Sequence, residues 1–203
     1  MSAATGAPAA RIARVRLQDA AAQRWRNGGG VTRELLAWPQ PLPGVAAEWR
    51  VRVSVADIAS DGPFSAFPEV SRGFAVLEGD GVVLSLPSLP TGERRLTPAD
   101  EALLFDGGEA PGCRLIGSPT RDLNLMVRQR DGRLHMRRAR AGDTWGEALD
   151  WRGLYTHGPA GLDTGDGLVE LPGGTLVWND DARASAWRLA QGHQAWWLGC
   201  APP

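Results

Sequence analysis

The chain contains no lysine, so all 22 of its basic residues are arginine. Isoleucine is nearly missing too, at positions 12, 58 and 116 only. With plentiful Ala, Gly and Arg, this is the imprint of GC-rich coding, so arginine richness by itself assigns no role. The 22 basic residues face 23 acidic ones, a formal net charge of −1. That balance lacks the basic field that holds a nucleic-acid backbone, and nucleic acid is not an expected partner. The two cysteines, Cys113 and Cys200, are far apart and make no CxxC pair. A 203-residue chain can bury a full core without disulfides, and a reducing cytoplasm is the expected setting. Residues 1–10 are small and polar, expected to form a disordered tail rather than a signal peptide. No window approaches the ~18 apolar residues of a membrane span, so no membrane partner is expected.

Chemistry-bearing motifs are equally scarce. The three histidines, His135, His157 and His193, form no HxH pair, so a histidine-and-carboxylate metal site is not expected. No GxSxG elbow occurs, and neither cysteine has a histidine nearby in sequence. The glycine triplet Gly28-Gly29-Gly30 precedes a strand-like Val31–Leu36 instead of a helix with Lys-Ser/Thr, which argues against a nucleotide loop. The expectation is a protein with no metal, no cofactor and no assignable catalytic residue.

What the chain does have is strand signal. Trp49, Val51, Val53 and Val55 alternate with Arg50, Arg52 and Ser54. Residues 73–78 and 82–86 flank Gly79-Asp80-Gly81, a hairpin pattern. Short apolar runs follow at 102–105, 114–117, 123–127, 134–138, 168–171, 175–178, 184–189 and 195–198. Such spacing predicts a sandwich or barrel. One two-turn helix is expected over Leu17–Trp25, and a further turn over Gly142–Leu149. Two echoes suggest duplication. Leu96-Thr97-Pro98 leads to Leu103–Asp106 much as Glu170-Leu171-Pro172 leads to Leu176–Asn179, and Arg72-Gly73-Phe74 matches Arg152-Gly153-Leu154.

Three segments carry the polar groups of interest. In Trp25–Glu34, the bare glycines Gly28, Gly29 and Gly30 are flanked by Asn27, Thr32, Arg33 and Glu34, an arrangement suited to gripping a small polar or anionic molecule. Arg52 and Ser54 share one strand face, followed by the pinned turn Asp61-Gly62-Pro63-Phe64-Ser65-Ala66-Phe67-Pro68. In Asp122–Met126, period two puts Asp122, Asn124 and Met126 opposite Leu123 and Leu125. From the pattern alone, these polar faces point either to water or into a cavity. Ser65 is placed to cap a pocket, and Arg72 offers a carboxylate a bidentate fork.

Taken together, residues 25–128 resemble the HutD/Ves family of bacterial cupin-type proteins, whose motifs occur in the same order; residues 129–203 match in general character only. The resemblance implies an all-β bicupin, two cupin-like barrels packed together. We therefore expect a first half over 11–130 with the pocket and a second over 131–203. It also implies a pocket for a small carboxylate metabolite, with N-formylglutamate as the proposed ligand in regulation of histidine utilisation. The candidate ligand-binding residues are Asn27, Gly28, Gly29, Gly30, Thr32, Glu34, Arg52, Ser54, Ser65, Arg72, Asp122 and Asn124. Two other readings stay open, a metal-independent isomerase or hydrolase of small acids and a protein-interaction module. The module would use Trp196-Trp197, since adjacent strand residues face opposite ways and one must leave its barrel core. That tryptophan would serve a homodimer contact or a barrel–barrel contact.

Overall fold

The computed structural model describes residues 12–40, 48–146, 149–180 and 186–203. The expected tail at 1–10 and the start of the strand expected at 184–189 lie outside them. The architecture is all-β, with four antiparallel sheets making two barrels.

The first barrel pairs a six-stranded sheet with a four-stranded one. The larger runs Ala22–Arg24, Gly30–Trp38, Val51–Ile58, Thr120–Arg128, Val70–Glu78 and Leu103–Asp106 in spatial order. The smaller runs Gly62–Pro63, Gly112–Leu115, Val82–Ser85 and Glu93–Leu96. The second barrel repeats this plan. Its larger sheet is ordered Ala13–Arg16, Thr175–Asn179, Trp151–Thr156, Ala195–Ala201 and Arg133–Ala139, and its smaller one Thr144–Trp145, Trp187–Gln191, Ala160–Asp163 and Leu168–Leu171. Strand for strand, the eight from Val51 to Arg128 match the eight from Arg133 to Ala201. The faint sequence echoes thus mark equivalent places: Arg72 and Arg152 lie near the starts of matching strands, and Leu103 and Thr175 open matching ones. The strand Ala13–Arg16, early in the chain, belongs to the second barrel, where it pairs with Thr175–Asn179.

Period two divides the large first sheet into two unlike faces. Val51, Val53, Val55, Leu123, Leu125 and Val127 pack onto Met136, Trp151, Tyr155, Leu176, Trp196 and Leu198 of the second barrel's large sheet. This seam between the barrels is an apolar core in its own right. The opposite face of the same strands points into the first barrel, whose floor holds Phe74, Val76, Val82, Leu84 and Leu96. A bulge at Leu35 shifts the register between Glu34 and Leu36, and both leucines are buried in the seam core.

The second barrel is filled. Trp145, Trp187 and Trp197 meet Leu154, Leu162 and Leu189 there, and Trp145 stacks on Trp197 with ring centroids 5.8 Å apart. Trp196 turns the other way, into the seam, at 1% exposure. The adjacent tryptophans do face opposite sides, but both are buried, so neither offers a surface to another protein.

The helical expectations need correction. Only Leu17–Asp19 forms a turn of 3-10 helix; Ala22–Arg24 is a strand against Val31–Arg33. Pairing with a neighbouring strand overrides the local preference. At Gly142–Leu149 the chain makes a turn and then the short strand Thr144–Trp145, paired with Trp187–Arg188; residues 147 and 148 lie outside the described set. Among the described residues, no helix is long and apolar enough to cross a membrane.

Candidate functional site

Three adjacent strands of the large first sheet present a small grid to the barrel interior. Arg52, Met126 and Arg72 stand side by side across Val51–Ile58, Thr120–Arg128 and Val70–Glu78. The next inward-facing row is Ser54, Asn124 and Phe74, and the next is Ala56, Asp122 and Val76. With strands spaced about 4.8 Å apart, the backbones bearing Arg52 and Arg72 are about 10 Å apart. Above this grid the barrel encloses a cavity of about 510 Å³, within the range of small-molecule sites.

A hydrogen-bonded chain runs along the cavity floor. Arg72 Nε donates to Asn124 Oδ1 at 2.8 Å, and Asn124 Nδ2 donates to Asp122 Oδ1. All three residues are buried. Among the described residues no hydrogen bond engages Nη1 or Nη2 of Arg72, so its fork remains available to a carboxylate. The guanidinium lies between two rings, 4.7 Å from the centroid of Phe64 and 5.6 Å from that of Phe105. Burial lowers its pKa to about 10, which leaves it cationic at neutral pH. Burial pushes the Asp122 carboxyl up to about 8, against the opposing pull of Arg72 and Asn124. Asp122 is therefore mostly a neutral acid at pH 7, able to donate as well as accept. Beneath the site, burial pushes the Cys113 thiol up to about 12, which keeps it protonated at neutral pH.

Arg52 stands nearer the mouth. Its Nε donates to Glu34 Oε2 at 2.5 Å, and its guanidinium lies 5.9 Å from the Phe67 ring centroid. The mouth is framed by the strand Ala22–Arg24 and the turn after it, which bring Gln23, Arg24, Arg26 and Asn27 to the wall. Four arginines thus line the cavity, with Asp122 the one carboxyl group among the lining residues.

Of the residues singled out in the sequence, Asn27, Thr32, Arg52, Ser54, Ser65, Arg72, Asp122 and Asn124 line this cavity. Glu34 stands behind Arg52 as its ion-pair partner. The glycines are not among its lining residues, and the N–H groups of Gly28 and Gly29 are taken within the turn. Gly28 N–H donates to Trp25 O and Gly29 N–H to Asn27 Oδ1, while Gly29 O accepts from Ala59 and Ser60. Gly28 is needed for its φ of 73°, and Gly30 because a Cβ would sit 2.5 Å from Asp57 O and 3.1 Å from the Trp25 ring. The triplet shapes the turn that seats Trp25. Trp25 was not evident from the pattern, yet its Nε1–H donates to Thr32 Oγ1 at 2.8 Å and its ring meets Phe64 edge-on. Arg24 was hidden by the helix expected over Leu17–Trp25, and Arg26, inside the glycine-rich segment, was not singled out there. Met126 was legible on the face of Asp122 and Asn124.

The second barrel shows what this cavity depends on. Asn124 lies opposite Phe74, and Trp197 lies opposite Leu154 at the equivalent position. There the indole occupies space that the first barrel leaves open. His135, His157 and His193 sit on a strand, in the seam beside Glu78 and in an exposed turn. Among the described residues, no three His, Cys, Asp or Glu side chains are grouped as a metal site would need.

Two barrels of this topology, one holding a polar cavity, define a bicupin. The sequence model of the HutD family matches residues 17–197, and the chain belongs to that family. A Pseudomonas putida relative, an uncharacterized 21.2 kDa protein in the hutC 3' region, is 39% identical over 113 residues, 55% of this chain and 56% of that protein. Protein Ves of Cronobacter sakazakii is 35% identical over 126 residues, 61% of this chain and 65% of Ves. The chain thus spans rather more than half the length of the curated relatives it matches. The solved structure of HutD from Pseudomonas fluorescens SBW25, in a formate condition, superposes with a TM-score of 0.80 at 22% identity over 95% of this chain and all of that one. The Escherichia coli pirin YhhW, solved with nickel(II), shares the fold at a TM-score of 0.62 and 11% identity, over 95% of this chain and all of YhhW.

Proposed function

We propose that this protein is a non-catalytic binder of a small carboxylate metabolite, with N-formylglutamate the first candidate, acting in the regulation of histidine utilisation. The observation that carries this reading is the buried Arg72 guanidinium, whose Nε is held by Asn124 while Nη1 and Nη2 remain unengaged beside a cavity open at one end. Arg52, Arg24 and Arg26 add a second cationic region toward the mouth, which suits a ligand with two carboxylates. Family membership and the hutC-region relative give the link to histidine utilisation. Two buried, unpaired cysteines accord with a cytoplasmic location.

Thermal unfolding of chelator-treated protein tests this against N-formylglutamate, glutamate, urocanate, histidine and unrelated dicarboxylates. A ligand at about 100 times its Kd stabilises the fold by roughly 2.7 kcal/mol. A selective upward shift with formylglutamate, without product on long incubation, supports the reading. No shift with any carboxylate at millimolar concentration defeats it.

One observation favours a second reading, a metal-independent enzyme. Asp122 is a carboxyl held near neutrality inside a cavity, the condition of a general acid or base. Product formation from a bound carboxylate, abolished in Asp122→Asn while binding persists, would decide for it.

A further inference from the structure

The apolar seam between the barrels ends in a charged cleft, separate from the barrel cavity. Beyond Val55 and Leu123, the first barrel supplies Asp57, Arg121, Arg33 and Glu78; the second supplies Arg16 and His157. The cleft, about 390 Å³, is lined by Arg16, Arg33, Glu78, Arg121 and His157. A relay of ion pairs crosses it. Arg33 Nη1 meets Asp57 at 3.0 Å, Arg121 Nε meets the same carboxylate at 2.6 Å, and Arg121 Nη1 meets Glu78 at 3.2 Å. Across the seam, His157 Nε2 meets Glu78 at 2.9 Å.

That relay leaves donors over. Three guanidinium groups face two carboxylates, and among the described residues no hydrogen bond engages Nε or Nη2 of Arg33 or Nη2 of Arg121. Three further polar atoms here are buried without a partner among the described residues: Arg16 Nε, His157 Nδ1 and the Tyr155 hydroxyl. Tyr155 packs in the seam core, and Arg121, Glu78 and Asp57 dominate the charges felt by its phenol. A buried polar group without a partner is costly and rare, and here three occur in and beside one cleft. Arg16 Nε can only donate and the tyrosine hydroxyl can donate as well, whereas the Nδ1 of a neutral His157 whose Nε2–H faces Glu78 accepts. The guanidinium and hydroxyl donors left over need acceptors carrying negative charge.

We propose that the seam cleft is a second binding site, for a small oxyanion, built jointly by the two barrels. Phosphate and carboxylate share the chemistry, since both offer several oxygens to guanidinium forks. An anion there would bridge Arg16 of one barrel to Arg33 and Arg121 of the other. This inference does not depend on the ligand of the barrel cavity.

The test is titration of the intact protein with inorganic phosphate at fixed ionic strength, read by calorimetry, with succinate as a parallel arm. One saturable site per chain is expected, weakened roughly ten- to hundredfold in Arg16→Ala and unchanged in Arg94→Ala, an exposed arginine outside both sites. Should Arg16→Ala not fold, Arg16→Lys keeps the charge but not the Nε–H, and should still bind more weakly than the parent. Saturation by phosphate alone identifies a phosphate site, and saturation by succinate alone a carboxylate site; either supports the proposal. No saturation by either anion, parental affinity in the Arg16 variants, or an equal loss in Arg94→Ala would overturn it. So would a crystal grown in phosphate with only water among the Arg16, Arg33 and Arg121 guanidinium groups.

Discussion

Asn124 and Trp197 hold the same place in the two barrels, each projecting into its barrel beside the residue two beyond an arginine, Phe74 after Arg72 and Leu154 after Arg152. Where Asn124 stands, a polar chain from Arg72 to Asp122 borders a cavity. Where Trp197 stands, stacked indoles fill the space. Replacing Trp197 with alanine is therefore expected to cost about 3–5 kcal/mol, the penalty for emptying a packed aromatic site. Urea unfolding followed by titration of the folded protein checks this, since carboxylate affinity should stay near that of the parent. A large affinity loss at full folding would mean that the barrels communicate more tightly than their packing indicates.

Arg72→Ala should weaken carboxylate binding by on the order of 2–5 kcal/mol, because it removes a desolvated cation facing the ligand. Arg72→Lys should not restore it, since an ammonium cannot supply the fork or keep Nε on Asn124. Calorimetry with the best ligand of the panel measures both. Unchanged affinity in a folded Arg72→Ala protein would remove Arg72 from the site.

The buried carboxyl of Asp122 should leave a signature in stability against pH. Its folded pKa of about 8 lies above the ordinary 3.8, so folding takes up a proton between those values. This stabilising contribution is fully present below about pH 4 and is lost as pH rises through about 8. Asp122→Asn cannot ionise, and its stability should fall less than the parent's over that window. Chemical denaturation of both proteins at pH 5 and pH 8 gives the comparison. Parallel behaviour would show that Asp122 is already ionised when folded.

Gly30→Ala should destabilise the fold by about 1–3 kcal/mol, because the added methyl collides with Asp57 O and the Trp25 ring. As Trp25 is displaced from Thr32 and Phe64, ligand affinity should fall as well. Tryptophan fluorescence during unfolding reports the first effect and titration the second. An unperturbed Gly30→Ala protein would contradict the close packing of Trp25.

Neither cysteine should react readily in the native state. Burial raises both thiols, Cys113 to about 12, so the thiolate is scarce at neutral pH. A colorimetric disulfide reagent should label both at once in denaturant but hardly at all before it. Rapid native labelling of Cys113 would mean that the first barrel opens readily, and of Cys200 that the seam does.

Much of this architecture was legible because strands announce themselves by alternation. The faces of Val51–Ile58 and Thr120–Arg128 followed from period two, and so did the grouping of Asp122, Asn124 and Met126. Alternation says nothing about which face meets water. That was decided by the second barrel, which covers Val53, Val55, Leu123 and Leu125 and leaves Arg52, Ser54 and Asn124 facing inward. The stretch from Leu17 to Trp25 misled for a related reason. Its spacing suits a helix, but Ala22–Arg24 gains a strand partner and Trp25 gains Thr32, and neither partner is visible in a local window. The glycine triplet shapes the turn that seats Trp25 beside the cavity, a structural part that its composition alone did not specify.

The large first sheet is shared, its inner face being the back wall of the cavity and its outer face half of the seam. A side chain such as Asn124 cannot shift its backbone without disturbing Leu123 and Leu125 beside it, which are wedged against the other barrel. The filled barrel therefore works as a foundation: it forgoes a cavity of its own and keeps its twin from yielding. In a duplicated pair, such an arrangement frees the lining of one copy to change while the other bears the mechanical load.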